Sequence, residues 1–416
     1  MIVLGVWLRQ PDGTIARAGD LACSDPDAHG RFESEFEYAA QWLADARSFG
    51  LDPESLPTGR RRGPVRFRAE GLCPPLGVFE DALPDDWGRR LLVLDRRLPR
   101  GQQGVPYLLR EIGADGLGAL AFATAGEPTS SRSPAAAIHV AALVDAAARL
   151  EAGEQVEPSV LQRLLEAGSS PGGARPKALI DTDDGRWIAK FPSRNHDGRF
   201  DVVGLEATAL ALAREAGLEV PDTRIMDLPS GRRALLVRRF DVTARGGRRH
   251  TVSLKTLCRE RPGVYVLSYD ELAVAVRMHS AAPGADGDAL FRHAVFNVAI
   301  GNTDDHLKNF WMLHDERGWR LAPAFDLVPD VSERQEHVLL FHLSHRVPGP
   351  DDVAAVAKAW GVKRGAAILG EVIEVVRRFR AVAERCRVPG ANIDEVGRDI
   401  GRRLKRLAGD SARGGS

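Results

Sequence analysis

The sequence predicts an α+β protein, with a small mixed module first, a β-rich stretch next and a helical stretch last. Three observations carry this expectation. Residues 1–123 hold short apolar runs broken by glycine and proline, such as "VRFRAEGL" and "PPLGVFEDALP", as small mixed modules do. After "GSSPGGARPK" (168–177) the apolar period shortens. "KALIDTDDGRWIAKF" reads as strand, Asp-Gly turn, strand, and "TRIMDLPSGRRALLVRRFDV" gives a second hairpin signal. From about residue 251 helical periodicity dominates, as in "SYDELAVAVRMHS", "ALFRHAVFNVAIG" and "AAILGEVIEVVRRFRAVAERC". A chain of 416 residues is also too long for one ordinary core.

The elements follow in order. "MIVLGVWLRQPDG" has neither a basic start nor a small-residue cleavage site, so it reads as a first β-strand and not as a signal peptide. "LPDDWGRRLLVLDRRL" makes Asp85 an N-cap for a helix with Trp87, Leu91, Leu92 and Leu94 largely on one side. "TAGEPTSSRSPAAA" (124–137) is the linker candidate, and two helices are expected after it, at about 138–152 and 158–168. "DVVGLEATALALAREAGLEVP" is a helix stopped by Gly217 and Pro221. One hairpin, "NFWMLHDERGWRLAP", interrupts the helical part. The expected divisions are 1–123, the linker 124–137, a β-rich segment 138–238, a helical segment 239–408 and a frayed tail 409–416.

Composition narrows the function. At 44% hydrophobic and 27% charged the chain reads as soluble and globular. Lys plus Arg (57) equals Asp plus Glu (57), so the whole chain offers no general field for nucleic acid or membrane. No run approaches the length of a membrane span. Three basic clusters, "GRRRGPVRFR" (59–68), "RRFDVTARGGRRH" (238–250) and "GRRLKRLAGD" (401–410), read as solvated faces and a tail. Cys23, Cys73, Cys258 and Cys386 are scattered, which argues against disulfides or a zinc site and fits a reducing cytoplasm.

Four features carry chemistry. In "SSPGGARPK" the glycines Gly172 and Gly173 let backbone approach a ligand, and successive amides there can cradle phosphate oxygens. The spacing is not that of a Walker A loop, and an ordinary glycine turn is the alternative. Lys190 lies in the second strand of the hairpin that follows. It either meets an anion, as the strand lysine of kinase-like phosphotransferases meets nucleotide phosphates, or snorkels from an edge strand. Glu206, on the next helix, is its ion-pair partner or a plain surface glutamate. In "GNTDDHLKNF" Asp304 and Asn309 have the D-x-x-x-x-N spacing of a kinase catalytic loop, and Asp305 does not. Asp304 is thus the candidate base, and Lys308 can neutralise charge on a transferred phosphoryl group. After the hairpin, Asp326 in "AFDLVP" takes the place of the metal-binding aspartate, so that Asn309 and Asp326 supply oxygen ligands for a hard octahedral ion. A transition metal on His306 or a solvated acidic turn are the competing readings of this loop.

These stretches, "GNTDDHLKNF" then "LAPAFDLVP", with "PGGARPKALI" and "WIAKFPS" upstream, resemble the HipA family of bacterial serine/threonine kinases. "LPDDWGRRLL" and "GADGLGALAF" resemble that family's N-terminal domain, and "EAGLEVPDTRI" and "LLVRRFD" its lobe junction, so the resemblance covers roughly residues 1–400. It implies a two-lobed protein-kinase-like fold, with a small β-rich N-lobe, a mostly helical C-lobe and an extra N-terminal α+β domain. It further implies ATP and Mg²⁺ as cofactors and phosphorylation of a protein, in several cases an aminoacyl-tRNA synthetase, which halts translation. Family members usually act as toxins paired with a small helix-turn-helix antitoxin that binds operator DNA. By position, the resemblance makes Asp304 the catalytic aspartate, Asn309 and Asp326 the Mg²⁺ ligands, and Lys190 the phosphate-binding lysine. It puts Gly172, Gly173, Ala174 and His306 with the nucleotide, and Val237, Arg238 and Phe240 at an adenine-binding hinge. Ser170 aligns with a serine that such kinases autophosphorylate to switch themselves off, with Arg175 or Lys177 as cations for the phosphate. Arg238 stands where related hinges often carry an acidic residue, and Pro176 removes one amide donor from the glycine loop. A small-molecule phosphotransferase of the antibiotic-kinase type and a catalytically silent regulatory module are the alternatives.

Overall fold

The computed structural model describes residues 1–58, 66–69, 76–128, 140–157, 159–160, 164, 175–182, 185–193, 195, 197–258, 267–331, 334 and 336–409. In chain order the first part holds β1 (Ile2–Arg9), β2 (Ile15–Cys23), β3 (Ser34–Tyr38), α1 (Ala40–Ala44), β4 (Arg66–Ala69), α2 (Gly77–Asp81), α3 (Asp86–Asp95), α4 (Val105–Ile112), β5 (Leu120–Ala123) and α5 (Val140–Glu151). The middle holds β6 (Lys177–Thr182), β7 (Gly185–Lys190), α6 (Val202–Glu215), β8 (Thr223–Asp227), β9 (Arg233–Arg238), β10 (His250–Ser253) and α7 (Leu254–Leu257). The rest holds α8 (Tyr269–His279), α9 (Pro283–Ile300), β11 (Trp311–Asp315), β12 (Gly318–Leu321), α10 (Pro350–Trp360), α11 (Gly365–Val376), α12 (Phe379–Arg385) and α13 (Gly390–Leu407). The α+β class expected from the sequence is the class found. Among the described residues no helix is long and apolar enough to cross a membrane.

The chain divides into two compact units. The first comprises Met1–Lys190, Arg238–Gly263 and Trp311–Arg317, the second Phe191–Val237, Val264–Phe310 and Gly318–Ser416. The first unit contains an antiparallel five-stranded sheet of order β4-β3-β2-β1-β5. Strand alternation decides its inner face: Leu4, Val6 and Leu8 of β1 and Phe36 and Tyr38 of β3 are buried. Phe36 packs edge-on against Tyr38 at 4.8 Å and against Phe79 of α2 at 5.1 Å. Asp85 caps α3 by accepting from the Gly88 N–H at 2.9 Å, and Trp87, Leu91 and Leu92 are buried as the spacing requires. Leu94 departs from that expectation: it lies in the last turn and is 41% exposed. The second Asp85 oxygen accepts from Lys177, at the start of β6, in a buried ion pair.

Two aspartates fasten the N-terminal module to later segments of the same unit. The Asp81 carboxylate accepts from Ser253 N–H and Oγ–H, both at 2.8 Å, at the N-cap of α7. The Asp241 carboxylate accepts from Arg239 Nε at 2.9 Å and Nη2 at 2.5 Å, from Arg248 Nη1 at 3.3 Å and from the Gly118 N–H at 3.1 Å. Gly118 has φ +63, and a Cβ there would lie 2.3 Å from Thr251 Oγ1, so both the conformation and the close approach require glycine. Arg239 and Arg248 are buried. The solvated reading of cluster 238–250 therefore fails for these two, because each faces a carboxylate. It holds for Arg66 and Arg68, which are exposed and pair with Glu37 and Glu35.

The second unit is mainly helical. Asp201 caps α6, accepting from Gly204 N–H at 3.2 Å and pairing with Arg233. α6 is buried over nearly its whole length, including Glu206 at 4% exposure, so Glu206 is not the surface residue that a plain reading allowed. α9 is buried from Phe291 to Ile300 except at Arg292. It ends at Gly301 (φ +79), whose N–H bonds the Asn297 carbonyl at 3.0 Å in the manner of a left-handed C-terminal stop. The stretch 366–386 reads as continuously helical but breaks at Arg377–Arg378 into α11 and α12. Residues 129–137 of the expected linker 124–137, most of the second expected helix at 158–168 and all but Gly409 of the tail 409–416 lie outside the described residues.

Asp241→Asn is expected to lower stability by about 3–5 kcal/mol, since two buried guanidiniums lose their anion. Urea unfolding measures this. The pH dependence has a definite sign. Burial pushes the Asp241 pKa up, but Arg239 and then Arg248 outweigh it and hold the group at about 2, below the usual 3.8. Its contribution is therefore complete above about pH 4 and lost as pH falls toward 2. That acid-limb loss is expected in wild type and not in Asp241→Asn.

Candidate active site

Residues 301–310 leave the buried end of α9 in an extended run that closes with a 3₁₀ turn at Leu307–Asn309. Asn302 is buried and ties back to Asn297, its Nδ2 donating to Oδ1 at 3.1 Å. Thr303 Oγ1 donates to Asp330 at 3.0 Å, and the Asp330 N–H donates to the Gly301 carbonyl at 2.8 Å. Those bonds lay the segment that follows Asp326 along the start of the loop. Leu307 and Phe310 are buried and anchor its far end.

Successive side chains of extended backbone point opposite ways, and the adjacent aspartates show it. The Asp304 side chain is 68% exposed, whereas Asp305 has no exposed surface. The Asp305 carboxylate accepts from Tyr269 Oη–H at 2.7 Å, His337 Nδ1–H at 3.1 Å, Val338 N–H at 2.8 Å and Leu339 N–H at 3.3 Å. The carboxylate on one side of His337 and Arg403 Nη1 on the other, 3.1 Å from Nε2, fix the proton on Nδ1. Arg403 also donates to Asp399 at 2.6 Å and to the Arg334 carbonyl at 3.2 Å. Tyr269 Oη accepts from Asn297 Nδ2 at 3.0 Å, and burial, then Asp305, pushes its phenol well above the ordinary range.

This network was not foreseen from the sequence. Tyr269 lay in a helical run and His337 in no motif. Arg403 lay in the cluster 401–410 that read as solvated, yet it is 2% exposed. The correction has a simple cause: a guanidinium with a carboxylate, a carbonyl and an imidazole nitrogen around it can leave water. The one local signal was the doubled aspartate, where only one member fits the D-x-x-x-x-N spacing.

On the exposed side of the loop, Asp304 Oδ2 lies 3.9 Å from His306 Nε2, and His306 Nδ1 is buried without a hydrogen-bond partner. Asn309 Nδ2 donates to the Asp304 carbonyl at 2.9 Å, so the turn is closed by the two residues of the motif. That bond orients the amide and leaves Asn309 Oδ1 buried with no donor. Such an oxygen costs about 1–3 kcal/mol unless something satisfies it, and a hard cation would. Asp326 has φ +57, a left-handed conformation sustained by burial of Phe325 and Leu327 on either side and by the Ala324 N–H bonded to the Glu219 carbonyl at 2.8 Å. An amide oxygen and a carboxylate are hard oxygen donors, which suit Mg²⁺ better than a soft metal. Lys308, next to Asn309 in the chain, is exposed.

The other sequence-predicted residues sit on other elements of the chain. Lys190 ends β7, half-buried, in register with Lys177 of β6. Lys177 itself is buried against Asp85, so it does not serve as a cation awaiting a phosphate. Val237 is buried in β9 opposite Thr223. The Arg238 guanidinium stacks 4.8 Å over the Trp187 ring, and the Phe240 carbonyl accepts from Arg249 Nη1 at 2.9 Å. Ser170, Gly172, Gly173 and Ala174 lie outside the described residues.

The two adjacent aspartates are expected to separate cleanly in stability. Asp305→Ala leaves four buried donors unmatched and should cost about 3–5 kcal/mol. Asp304→Asn, largely exposed, should stay within about 0.5 kcal/mol of wild type. Denaturant midpoints for the two variants decide it, and equal losses would overturn the division of roles.

Comparison with known proteins identifies the family. The model of the HipA N-terminal domain matches residues 15–123 and that of the HipA-like C-terminal domain matches 169–385, the latter alone just over half of the chain. Two relatives from Sinorhizobium fredii (strain NGR234) bear names marking them as candidate kinases. Y4dM is 29% identical over 231 residues, 50% of this chain and 54% of that protein, so the chain spans about half of that relative's length. Y4mE is 27% identical over 360 residues, 79% of this chain and 78% of that protein. Among solved structures, a chain from the toxin–antitoxin complex of HipA, HipB and operator DNA of Shewanella oneidensis MR-1 superposes with a TM-score of 0.64 and 19% identity, over 97% of both chains. That likeness shows a shared fold. With both domain models matched in order, the chain belongs to the HipA family.

Proposed function

We propose that this HipA-family protein is an ATP-dependent serine/threonine protein kinase and the toxin of a toxin–antitoxin pair. The observation that carries the reading is the closed Asp304–Asn309 turn, with one carboxylate turned outward and one buried amide oxygen lacking a donor. In this reading a substrate hydroxyl oxygen attacks the γ-phosphorus of ATP, ADP departs, and the hydroxyl proton passes to the Asp304 carboxylate. Asn309 Oδ1 and Asp326 would hold Mg²⁺, which when bound offsets charge on the phosphates. Lys308 supplies a cation beside the transferred group and Lys190 one for the phosphates that stay with ADP. Gly172, Gly173, Ala174 and His306 are assigned to the nucleotide, and the Val237–Phe240 backbone to its adenine.

Partners follow from the same family. A small helix-turn-helix, HipB-like antitoxin would bind this chain and carry it to operator DNA. The shared fold with a HipA solved together with HipB and DNA supports this reading. The substrate is a cytoplasmic protein, an aminoacyl-tRNA synthetase being the leading candidate, and its phosphorylation would halt translation. Phosphoproteomics after brief expression of wild type and Asp304→Asn identifies it.

Asp304→Asn and Asp326→Asn are each expected to reduce phosphoryl transfer about 10²–10⁴-fold or more with folding intact. Lys190→Ala is expected to weaken binding of an ATP analogue with Mg²⁺ in calorimetric titration. Wild-type turnover in purified Asp304→Asn would sink the assignment. Ser170 is proposed as the self-inactivating phosphosite, since a phosphate there adds nearly two negative charges next to a loop meant for ATP phosphates. Intact-mass analysis should find that phosphate in wild type incubated with Mg²⁺ and ATP and not in Asp304→Asn. Its absence from wild type rules the switch out.

A further inference from the structure

The first unit holds a charge imbalance that phosphoryl transfer does not use. Arg239 and Arg248, 4% and 7% exposed, share a single carboxylate. Both Asp241 oxygens are already engaged by these two side chains and the Gly118 amide. Arg239 Nη1 remains buried with no acceptor. More positive charge stands close by. Burial first, then Arg239 and, behind it, Arg186 and Arg9 push the Arg248 guanidinium down to about 9, against the pull of Asp241.

Arg248 and Arg9 also line one cleft, of about 270 Å³ with its mouth included. Its other walls are apolar or backbone: Ile15, Ala114, Pro128 and the strand residues 118–121. No carboxylate is among the lining residues. A buried guanidinium whose counter-charge is shared is costly unless an anion reaches it. Here Arg248 lines a small cleft that also presents a second arginine.

We infer that Arg9 and Arg248 form a binding site for a compact inorganic anion, such as phosphate, sulfate or chloride. The enclosed space is far smaller than the volume that includes the mouth, so it suits a compact anion and not a nucleotide or a peptide segment. Its occupant completes the neutralisation of the cluster that joins Gly118 and Gln10, whose carbonyl accepts from Arg248 N–H at 3.1 Å, to the 239–248 segment. The site therefore secures the junction of the N-terminal module with the hinge segment inside one compact unit.

The test is thermal unfolding of the full chain without nucleotide or Mg²⁺, at an ionic strength held constant with a bulky organic salt. Phosphate, sulfate and chloride are titrated separately. Wild type should gain Tm along a saturating curve with at least one of them, by roughly 5 °C at one hundred times the dissociation constant. Arg9→Gln, a half-buried position that tolerates the change, should melt no lower than wild type in anion-free buffer and lose the rise. Arg9→Lys should recover part of it. Lys190→Ala separates this site from a nucleotide-phosphate site, and there the rise should persist. The anion that acts identifies the occupant's class. A rise that does not saturate, one shared equally by Arg9→Gln, one lost in Lys190→Ala, or no rise at all overturns the inference.

Discussion

A carboxylate removed completely from water has to find donors for both oxygens or take up a proton, and Asp305 finds four. The 301–310 loop is arranged around that requirement. Two donors are side chains, and they must be satisfied in turn: Tyr269 by Asn297 on α9, and His337 by Arg403 on α13. The demand of one buried charge thus passes through Tyr269 to Asn297 on one branch and through His337 and Arg403 to Asp399, near the surface, on the other. Because the backbone at this point is extended, fixing Asp305 inward turns Asp304 outward. Because the 3₁₀ turn returns Asn309 to the Asp304 carbonyl, the amide oxygen is left buried without a donor. The exposed chemistry is a by-product of the buried bonding.

The first unit solves a similar problem less completely. Asp81 has enough donors, and burial, with the Ser253 bonds only partly opposing it, brings its pKa to about 6. Asp241 has more cations than it can match. One junction therefore has a weak acid held by neutral donors, and the other an ionised acid held by guanidiniums. They respond in opposite directions to pH: deprotonation loosens the first as pH rises through 6, while protonation loosens the second only near 2.

What could be read in the sequence was what local patterning controls. The Asp85 cap, the pairing of β6 with β7 and the helix ending at Gly217 each depend on residues close together in the chain, and each is present. So is the D-x-x-x-x-N spacing, because a short turn keeps Asn309 near Asp304. The fates of the arginines could not be read, since a cation's burial depends on which acid or carbonyl the fold brings to it. Arg403 meets a histidine 66 positions away and Arg239 an aspartate two positions away, yet both clusters look alike on paper. Leu94 erred the other way: its angle on the helix was right, and the core ended one turn too soon.

The bracing of Asp305 also has an order in time. During synthesis the 301–310 loop leaves the ribosome after Tyr269 but before His337, Val338 and Leu339, which provide three of its four bonds, and well before Arg403, which fixes the histidine proton. A nascent chain therefore carries the whole D-x-x-x-x-N stretch for an interval in which Asp305 stays hydrated and Asp304 has no defined direction. The loop acquires its shape only when α13 has been made and docked, so its competence is set by the end of elongation through this helix and not by the appearance of the motif itself.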